Sequence, residues 1–310
     1  MIYHTTDQAV MELDKLCSVL PKQITNAMGD HYETITQIVL RKRAPSSVFV
    51  DGKSFFIGDG RLCALPYDGI VLPSEEIDDF FEKICRGSVY AFSEQIRNGF
   101  ITVSGGHRVG LSGTAVMKNG EVGGMKNIGG YTVRVAHEVV GCASHLSEVI
   151  TEKDRVMNTL IVSPPGYGKT TVLRDLSRIF SQKGKRVCVI DERSEIVAAE
   201  NGVTSFRGCS LCSFLDGIPK AEGIVRAVRA LSPEIIVFDE LGSENEAESV
   251  LSSMKCGAGF LFSAHASDIA EALSRKTVDI LVKNGAIDVI VALGKDHSVS
   301  EIKYIKAVGK

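Results

Sequence analysis

The sequence predicts a two-domain α/β protein, with a mostly parallel β-sheet in its C-terminal half and a smaller α+β domain before it. Two observations predict it. The chain has 310 residues, which is enough for two hydrophobic cores. Beyond Arg155, short apolar runs alternate with helical segments, the order typical of βαβ units. We therefore expect an N-terminal domain over residues 1–143 and a C-terminal domain over residues 144–310.

The overall composition is that of a globular protein, with 44% hydrophobic and 24% charged residues. Its net charge of -3 gives no general attraction for nucleic acid, so nucleic acid is an unlikely partner. No apolar run approaches the roughly 18 residues that span a bilayer, and no secretory signal is visible. The eight cysteines are scattered, which suits reduced thiols. These features predict a cytoplasmic protein.

The N-terminal half is expected to mix helices with short strands. A helix should begin at Ser74, because apolar residues recur at helical spacing after it. The Asn119-Gly120 pair predicts a hairpin turn. Alternation in the last strand places Arg134 on its more polar face. The predicted strands are Phe100–Ser104, Val109–Met117 and Tyr131–Ala136.

Strand and helix alternate in the C-terminal half, after a polar stretch over Ser144–Arg155 that we expect to be helical. The apolar runs have the length of strands and should form a parallel sheet. Two β-rich segments in the tail, Ile287–Leu293 and Ile302–Ala307, are predicted to pair as a hairpin. The predicted strands are Asn158–Val162, Arg186–Ile190, Glu234–Phe238 and Gly259–Phe262, and the predicted helices are Thr170–Gln182, Lys220–Leu231 and Glu244–Lys255.

A glycine-rich turn over residues 163–170 follows the first of these strands and opens the first helix. There, backbone N–H groups and the positive end of the helix dipole can face a phosphate, and glycine lets the phosphate approach. Lys169 is expected to bridge the β- and γ-phosphates of ATP, and Thr170 to bind Mg²⁺. The predicted nucleotide-binding residues are Ser163, which replaces the usual first glycine, Pro164, Pro165, Gly166, Tyr167, Gly168, Lys169 and Thr170.

Carboxylates follow the apolar strand that ends at Phe238. Asp239 is expected to hold Mg²⁺, and Glu240 to polarise the attacking water. Glu192 and His265 follow two other strands at the same edge of the sheet, the edge where ligands bind in open α/β folds. Either Glu192 or Glu240 could activate water, and the sequence favours Glu240 without excluding Glu192.

Phosphoryl transfer also benefits from an arginine near the γ-phosphate, which a neighbouring subunit often supplies. Four arginines are candidates. Arg226 and Arg229 share one face of the predicted helix before Asp239, while Arg108 and Arg134 come from the N-terminal half. A surface or interdomain salt bridge is the alternative role for each of them.

Several of these segments together resemble the stage III sporulation protein AA family, which is similar to the type II and type IV secretion and pilus ATPases. The resemblance is carried by Leu160–Arg174, Val189–Glu195, Pro219–Pro233 with Asp239 and Glu240, and Gly105–Leu111, so it covers both halves. By position, the family's nucleotide loop falls on Gly166, Gly168, Lys169, Thr170 and Thr171. Its acidic box falls on Asp191, Glu192 and Glu195, and its histidine box falls on His265. Arg134 lies where secretion ATPases have arginines from the N-terminal domain.

The resemblance implies a RecA-like P-loop ATPase domain, Mg²⁺-dependent ATP hydrolysis and a hexameric ring. It further implies a role in sporulation, powering a secretion-like channel or assembly machine between mother cell and forespore. Membrane proteins of that channel would be the partners and would hold the ring at the cytoplasmic face. Two alternatives stay open: a nucleotide-gated scaffold that does not hydrolyse ATP, and a nucleic-acid motor, since RecA-like cores also drive helicases.

Overall fold

The structure, a computed structural model, describes residues 15–137, 139–200, 202–204, 208–295 and 298–305. The chain forms two compact units. The first contains Met1–Glu138 and Ala198–Ser205, and the second contains Val139–Val197 and Phe206–Lys310. Among the helices in the described ranges, none combines the length and the apolar character that a membrane crossing needs.

An antiparallel sheet and short helices form the first unit. Residues 15–19 are helical. The helices that follow are α1 (Lys22–Met28), α2 (Ser74–Ile84) and α3 (Ser93–Arg97), and the strands are β1 (Ile35–Arg41), β2 (Ser47–Val50), β3 (Lys53–Ile57), β4 (Leu62–Cys63), β5 (Phe100–Val103), β6 (His107–Lys118) and β7 (Glu121–Arg134). The strand order is β4-β3-β2-β1-β7-β6-β5.

Helix α2 packs its apolar face into the core of this unit. It begins at Ser74, as predicted, and Phe80 meets Tyr131 of β7 edge to face, with ring centroids 5.2 Å apart. Tyr131 and Val133 are buried while Arg134 is exposed, so the alternation predicted for this strand is confirmed.

The hairpin of β6 and β7 turns at Asn119-Gly120, as predicted, but its strands are longer than the sequence indicated. Pairing runs from Arg108 opposite Arg134 to Lys118 opposite Glu121. The predictions stopped short because β7 contains glycines, which weaken a strand signal. Two irregularities in the register accommodate this stretch.

The second unit is built on a mostly parallel sheet, as the sequence predicts. Its helices are α4 (Ser144–Val149), α5 (Lys169–Gln182), α6 (Lys220–Ala230), α7 (Glu244–Ser253), α8 (Ile269–Ser274) and α9 (Lys276–Lys283). Its strands are β8 (Thr151–Glu152), β9 (Arg155–Val156), β10 (Thr159–Ser163), β11 (Val187–Asp191), β14 (Cys212–Asp216), β15 (Ile235–Phe238), β16 (Gly259–His265), β17 (Val289–Leu293) and β18 (Val299–Tyr304); β12 (Ala199–Glu200) and β13 (Val203–Thr204) belong to the first unit.

The strand order of this sheet is β14-β11-β15-β16-β10-β17-β18, and every pair is parallel except β17 with β18. Strands β10, β11, β15 and β17 are buried at every position. Their sequences are continuous apolar runs for that reason. Parallel pairing brings the carboxyl ends of β10, β11, β15 and β16 to one edge, where polar residues follow each strand.

Three predictions for this unit need correction. The stretch Ser144–Arg155 is helical only as far as Val149, and β8 and β9 follow as a tight hairpin. Lys153 and Asp154 have positive φ angles, which form the turn and cannot continue a helix. The edge strand β14 was not predicted. In the tail, β18 begins earlier than predicted, and the last two residues of the predicted strand lie outside the described ranges.

Candidate active site

The loop between β10 and α5 has the conformation that a phosphate-binding loop needs. Gly166 and Gly168 have φ angles of 81° and 83°, in the left-handed region that side chains disfavour. Helix α5 begins directly after Gly168, and no side chain caps its first turn among the described residues. The first backbone N–H groups of α5 therefore remain for an anion, at the positive end of the helix dipole.

Lys169 is buried over this loop and bonds to it. Its Nζ donates to the carbonyl oxygens of Ser163 and Pro164, at 2.9 and 3.2 Å, and lies 2.9 Å from Nδ1 of His265. A charged ammonium cannot accept, so Nδ1 is the acceptor and the imidazole proton is assigned to Nε2. Burial lowers the pKa of Lys169, while Asp239 and Glu240 act in the opposite direction.

Asp239 follows β15 and accepts two hydroxyl hydrogen bonds. Thr170 donates to its Oδ2 and Ser263 to its Oδ1. This all-oxygen donor set fits Mg²⁺, which usually takes one or two carboxylates and completes its shell with water and phosphate oxygens. Within the described ranges, no cluster of three or more His, Cys, Asp or Glu side chains forms a metal cage.

Glu240 occupies a constrained position beside Asp239. Its φ of 60° is uncommon for a residue with a side chain. Its backbone N–H donates to Oγ of Ser263 at 3.0 Å, so one serine holds both carboxylate residues. The Glu240 carboxylate lies 2.8 Å from a guanidinium nitrogen of Arg193 and 3.6 Å from Nε2 of His265.

Sheet register explains how β16 contributes to this arrangement. Ser163 pairs with His265 across the parallel β10–β16 ladder. Ser263 lies two positions before His265 and therefore points to the same face of the sheet. His265 of β16 is therefore placed beside Lys169 of the phosphate loop, and Ser263 of β16 beside Asp239.

The loop after β11 forms a second set of contacts. Asp191 is buried and accepts hydrogen bonds from the backbone N–H groups of Glu195, Ile196 and Val197, at 2.8–3.0 Å. Burial raises the pKa of Asp191 to about 6, against the opposing effect of these hydrogen bonds. Glu192 forms an ion pair with the buried Lys220 at 2.9 Å.

Lys220 connects this loop to the one after β15. Its Nζ lies 3.5 Å from Glu246 as well as 2.9 Å from Glu192. Glu246 in turn accepts from the N–H groups of Gly242 and Ser243 and completes a capping box at the start of α7. The loops that carry the two candidate bases are therefore held by common contacts.

The candidate arginines are divided between the two units. Arg229 is exposed near the C-terminal end of α6, nine residues or about 14 Å along the helix axis from Lys220. Arg226 is exposed and pairs with Glu222. Arg134 is in the first unit, directly opposite Arg108 in the β6–β7 ladder. Any role of these arginines at a nucleotide stays a prediction.

Three residues at this edge had no assigned role in the sequence analysis. Ser263 bonds to Asp239, Arg193 bonds to Glu240, and Lys220 bonds to Glu192. For Ser263, its place two residues before His265 on a strand was an available signal. Arg193 and Lys220 meet partners that are distant in sequence, and no local pattern indicates such pairs.

The fold and this strand-edge arrangement define the class. The structure is similar to the pilus retraction motor PilT solved with bound ADP, with a TM-score of 0.58 and 16% identity over 87% of this chain and 76% of that chain. It is also similar to the ATPase DotB of Legionella pneumophila, with a TM-score of 0.54 and 14% identity over 94% of this chain and 78% of that chain. The fold is that of the RecA-like secretion and pilus ATPases.

Family membership is narrower than this fold class. Residues 9–308 match the family described as "Sporulation stage III, protein AA". The chain is 30% identical over 302 residues to Stage III sporulation protein AA of Bacillus subtilis (strain 168), with 94% of each protein covered. This chain therefore belongs to the sporulation stage III protein AA family.

Proposed function

We propose that this chain is a Mg²⁺-dependent ATPase that powers a secretion-like channel or assembly machine between mother cell and forespore. One observation carries the proposal: Lys169, Thr170, Asp239 and Glu240 converge at the carboxyl edge of the parallel sheet. There His265 contacts both Lys169 and Glu240, and Ser263 contacts both Asp239 and Glu240. PilT, which has the same fold, was solved with bound ADP. The family supports the sporulation role.

Each residue of this network has a part in phosphoryl transfer. The N–H groups at the start of α5, with Lys169, hold the triphosphate. Thr170 and Asp239 would hold Mg²⁺, which would neutralise charge on the phosphate oxygens. A water oxygen bonds to the γ-phosphorus, its proton passes to Glu240, and the bond to the β–γ bridging oxygen breaks. The products are ADP and inorganic phosphate.

Glu240 is our choice for the water-activating base. It shares Ser263 with Asp239 and lies near His265, which contacts Lys169. Glu192 instead faces Lys220, in the contacts that fix the neighbouring loop. Replacing Glu240 by Gln should reduce turnover more than replacing Glu192 by Gln, and the reverse ranking would transfer the role to Glu192.

Steady-state phosphate release tests the hydrolysis. The variant Lys169→Ala should lose at least about 100-fold in turnover, because it removes a charge that contacts the transferred group. Lys283→Ala is the matched control, since Lys283 is 72% exposed and pairs only with Asp279 on its own helix among the ion pairs of the described residues. Equal phosphate release by wild type and Lys169→Ala would refute the proposal.

One observation favours a nucleotide-gated scaffold as the second candidate. The Glu240 carboxylate is engaged by Arg193 and is not free to act as a base in this arrangement. If wild-type protein binds ATP tightly and releases no phosphate, the scaffold replaces the ATPase.

Assembly is a further part of the proposal. We propose a hexameric ring in which Arg134 or Arg229 reaches the nucleotide of a neighbouring subunit, and membrane proteins of the channel as partners at the cytoplasmic face. Light-scattering mass with and without ATP and Mg²⁺ tests the ring. A monomer under both conditions would remove the basis for arginines supplied by a neighbour.

A further inference from the structure

Arg193 is presented by a loop that is fixed on both sides. Before it, Glu192 pairs with the buried Lys220 at 2.9 Å. After it, Ser194 donates to Asp216 at 2.7 Å, and its φ of 55° lies in the left-handed region, which is uncommon for a residue with a side chain. Asp191 holds the next backbone amides from beneath. The contacts of these neighbouring residues therefore fix the position of Arg193.

Arg193 contacts the proposed base, Glu240. A guanidinium nitrogen of Arg193 lies 2.8 Å from Oε2 of Glu240, across 47 positions of sequence. Glu240 reaches His265 through its other oxygen, at 3.6 Å, and His265 contacts Lys169 at 2.9 Å. Arg193 thus stands at the end of a chain of contacts that leads to the phosphate-binding lysine.

The Arg193–Glu240 pair can open without unfolding the site. The side chains are 47% and 34% exposed, so water can replace either partner at little cost. A guanidinium binds the paired oxygens of a carboxylate or of a phosphate with the same fork geometry. A γ-phosphate that arrives beside Lys169 therefore competes with Glu240 for Arg193.

From this geometry we infer that Arg193 is a γ-phosphate-sensing arginine supplied by the same chain, and that it releases Glu240 when a triphosphate binds. The inference rests on the proposed ATPase function and deepens it. Without a triphosphate, Arg193 neutralises Glu240. With one, Arg193 stabilises charge on the γ-phosphate oxygens, and Glu240 becomes free to accept a proton from water. Binding of a triphosphate thereby also activates the base, Glu240.

The inference separates Arg193 from an ordinary surface ion pair. An exposed pair contributes little to stability and nothing to nucleotide choice. The chain offers a matched control in Arg275, which lies 2.8 Å from Glu271 with side chains 41% and 42% exposed. The Arg275–Glu271 pair is similar to the Arg193–Glu240 pair in distance and exposure. Both of its residues, however, belong to the α8 region.

Equilibrium binding provides a test that does not depend on turnover. Affinities for ADP and for a non-hydrolysable ATP analogue, each with Mg²⁺, should be measured by calorimetry. Arg193→Ala should bind the ATP analogue about tenfold or more weakly than wild type and ADP within about twofold, because only the triphosphate meets the guanidinium. Arg193→Lys should restore part of the loss. Arg275→Ala should leave both affinities unchanged.

A second variant tests the competition directly. Glu240→Gln removes the charge that holds Arg193, so it should tighten binding of the ATP analogue several-fold. In the double variant Arg193→Ala/Glu240→Gln this gain should disappear, since the arginine for which Glu240 and the γ-phosphate compete is absent. A structural role for the pair would not produce this pattern.

The outcomes distinguish the inference from the proposed function. If wild type binds and hydrolyses ATP while Arg193→Ala retains the wild-type preference for the ATP analogue over ADP, the inference is wrong and the ATPase stands. Equal weakening of both nucleotides also overturns it, because that result describes a structural residue. If wild type binds neither nucleotide, the proposed function and the inference fail together.

Discussion

Asp191 ends strand β11 and Asp239 follows the neighbouring parallel strand β15, at the same edge of the sheet, yet their surroundings differ. Asp191 is 3% exposed and accepts three backbone N–H groups of its own loop. Asp239 is partly exposed and accepts two side-chain hydroxyls, from Thr170 and Ser263.

The difference separates a structural carboxylate from one that can bind metal. The backbone N–H groups that donate to Asp191 belong to the loop that these hydrogen bonds stabilise. If Asp191 released them to bind a cation, that loop would lose its order. Hydroxyls rotate, and those around Asp239 can turn away when a cation arrives. Position at a strand end was not sufficient to tell the two residues apart. The partners of each carboxylate favour Asp239 as the proposed Mg²⁺ ligand.

The largest effect is expected at Asp239. Asp239→Ala should reduce ATP turnover at least about 100-fold, because Mg²⁺ loses its carboxylate at the developing charge. The free energy of unfolding should fall by about 1–2 kcal/mol, since Thr170 is only partly buried and Oγ of the buried Ser263 keeps the hydrogen bond from the Glu240 N–H. Turnover assays and urea denaturation of the same preparations measure both. Retained turnover would show that this carboxylate is not the metal ligand.

Asp191→Ala should show the opposite balance. It removes the carboxylate that accepts three backbone N–H hydrogen bonds, two of them buried, so the free energy of unfolding should fall by about 3 kcal/mol or more. Urea denaturation monitored by circular dichroism measures the loss. If Asp191→Ala is no less stable than Asp239→Ala, the distinction between the two carboxylates does not hold.

The pH dependence of stability sharpens the comparison further. The folded protein keeps a proton on Asp191 up to about pH 6, whereas the unfolded chain releases it near the ordinary pKa of 3.8. The stabilising contribution of this raised pKa is therefore present at low pH and is lost as the pH rises through about 6.

The stability advantage of wild type over Asp191→Ala should accordingly be larger at about pH 4.5 than at about pH 7.5. Denaturation of both proteins at the two pH values measures it. An advantage that grows with pH would mean that the hydrogen bonds outweigh burial and hold the pKa of Asp191 low.

The smallest effect is expected at Ser163, where the usual glycine of the phosphate loop is replaced. Ser163 is the last residue of β10 and pairs with His265. A strand position needs no glycine, so Ser163→Gly should change turnover less than about threefold and cost about 1 kcal/mol or less in stability. A large gain in turnover would instead mean that the serine restricts the loop.

Much of this site could be predicted because its main parts follow local patterns. Strands β10 and β15 are short apolar runs, and the loop before α5 carries glycine at the positions with positive φ. Parallel order then brings Lys169 and Asp239 to one edge. The placement of Lys169 and Asp239 at one edge could therefore be predicted from the sequence, and their roles in phosphate and metal binding stay proposals.

The rest depends on pairs that sequence patterns do not show. Arg193 and Glu240 are 47 positions apart, and Lys220 joins two loops from a third element. The edge strand β14 is only partly buried, so it lacks the continuous apolar run that identified its neighbours. The domain boundary at residue 143 remains a prediction.

Nucleotide binding by the folded wild-type chain tests the central claim most directly. Calorimetric titration with ATP and Mg²⁺ should give one site per chain, with affinity that falls when Mg²⁺ is removed and is lost in Lys169→Ala. Undiminished binding by Lys169→Ala, or no binding by folded wild type, would contradict the placement of the triphosphate at the start of α5.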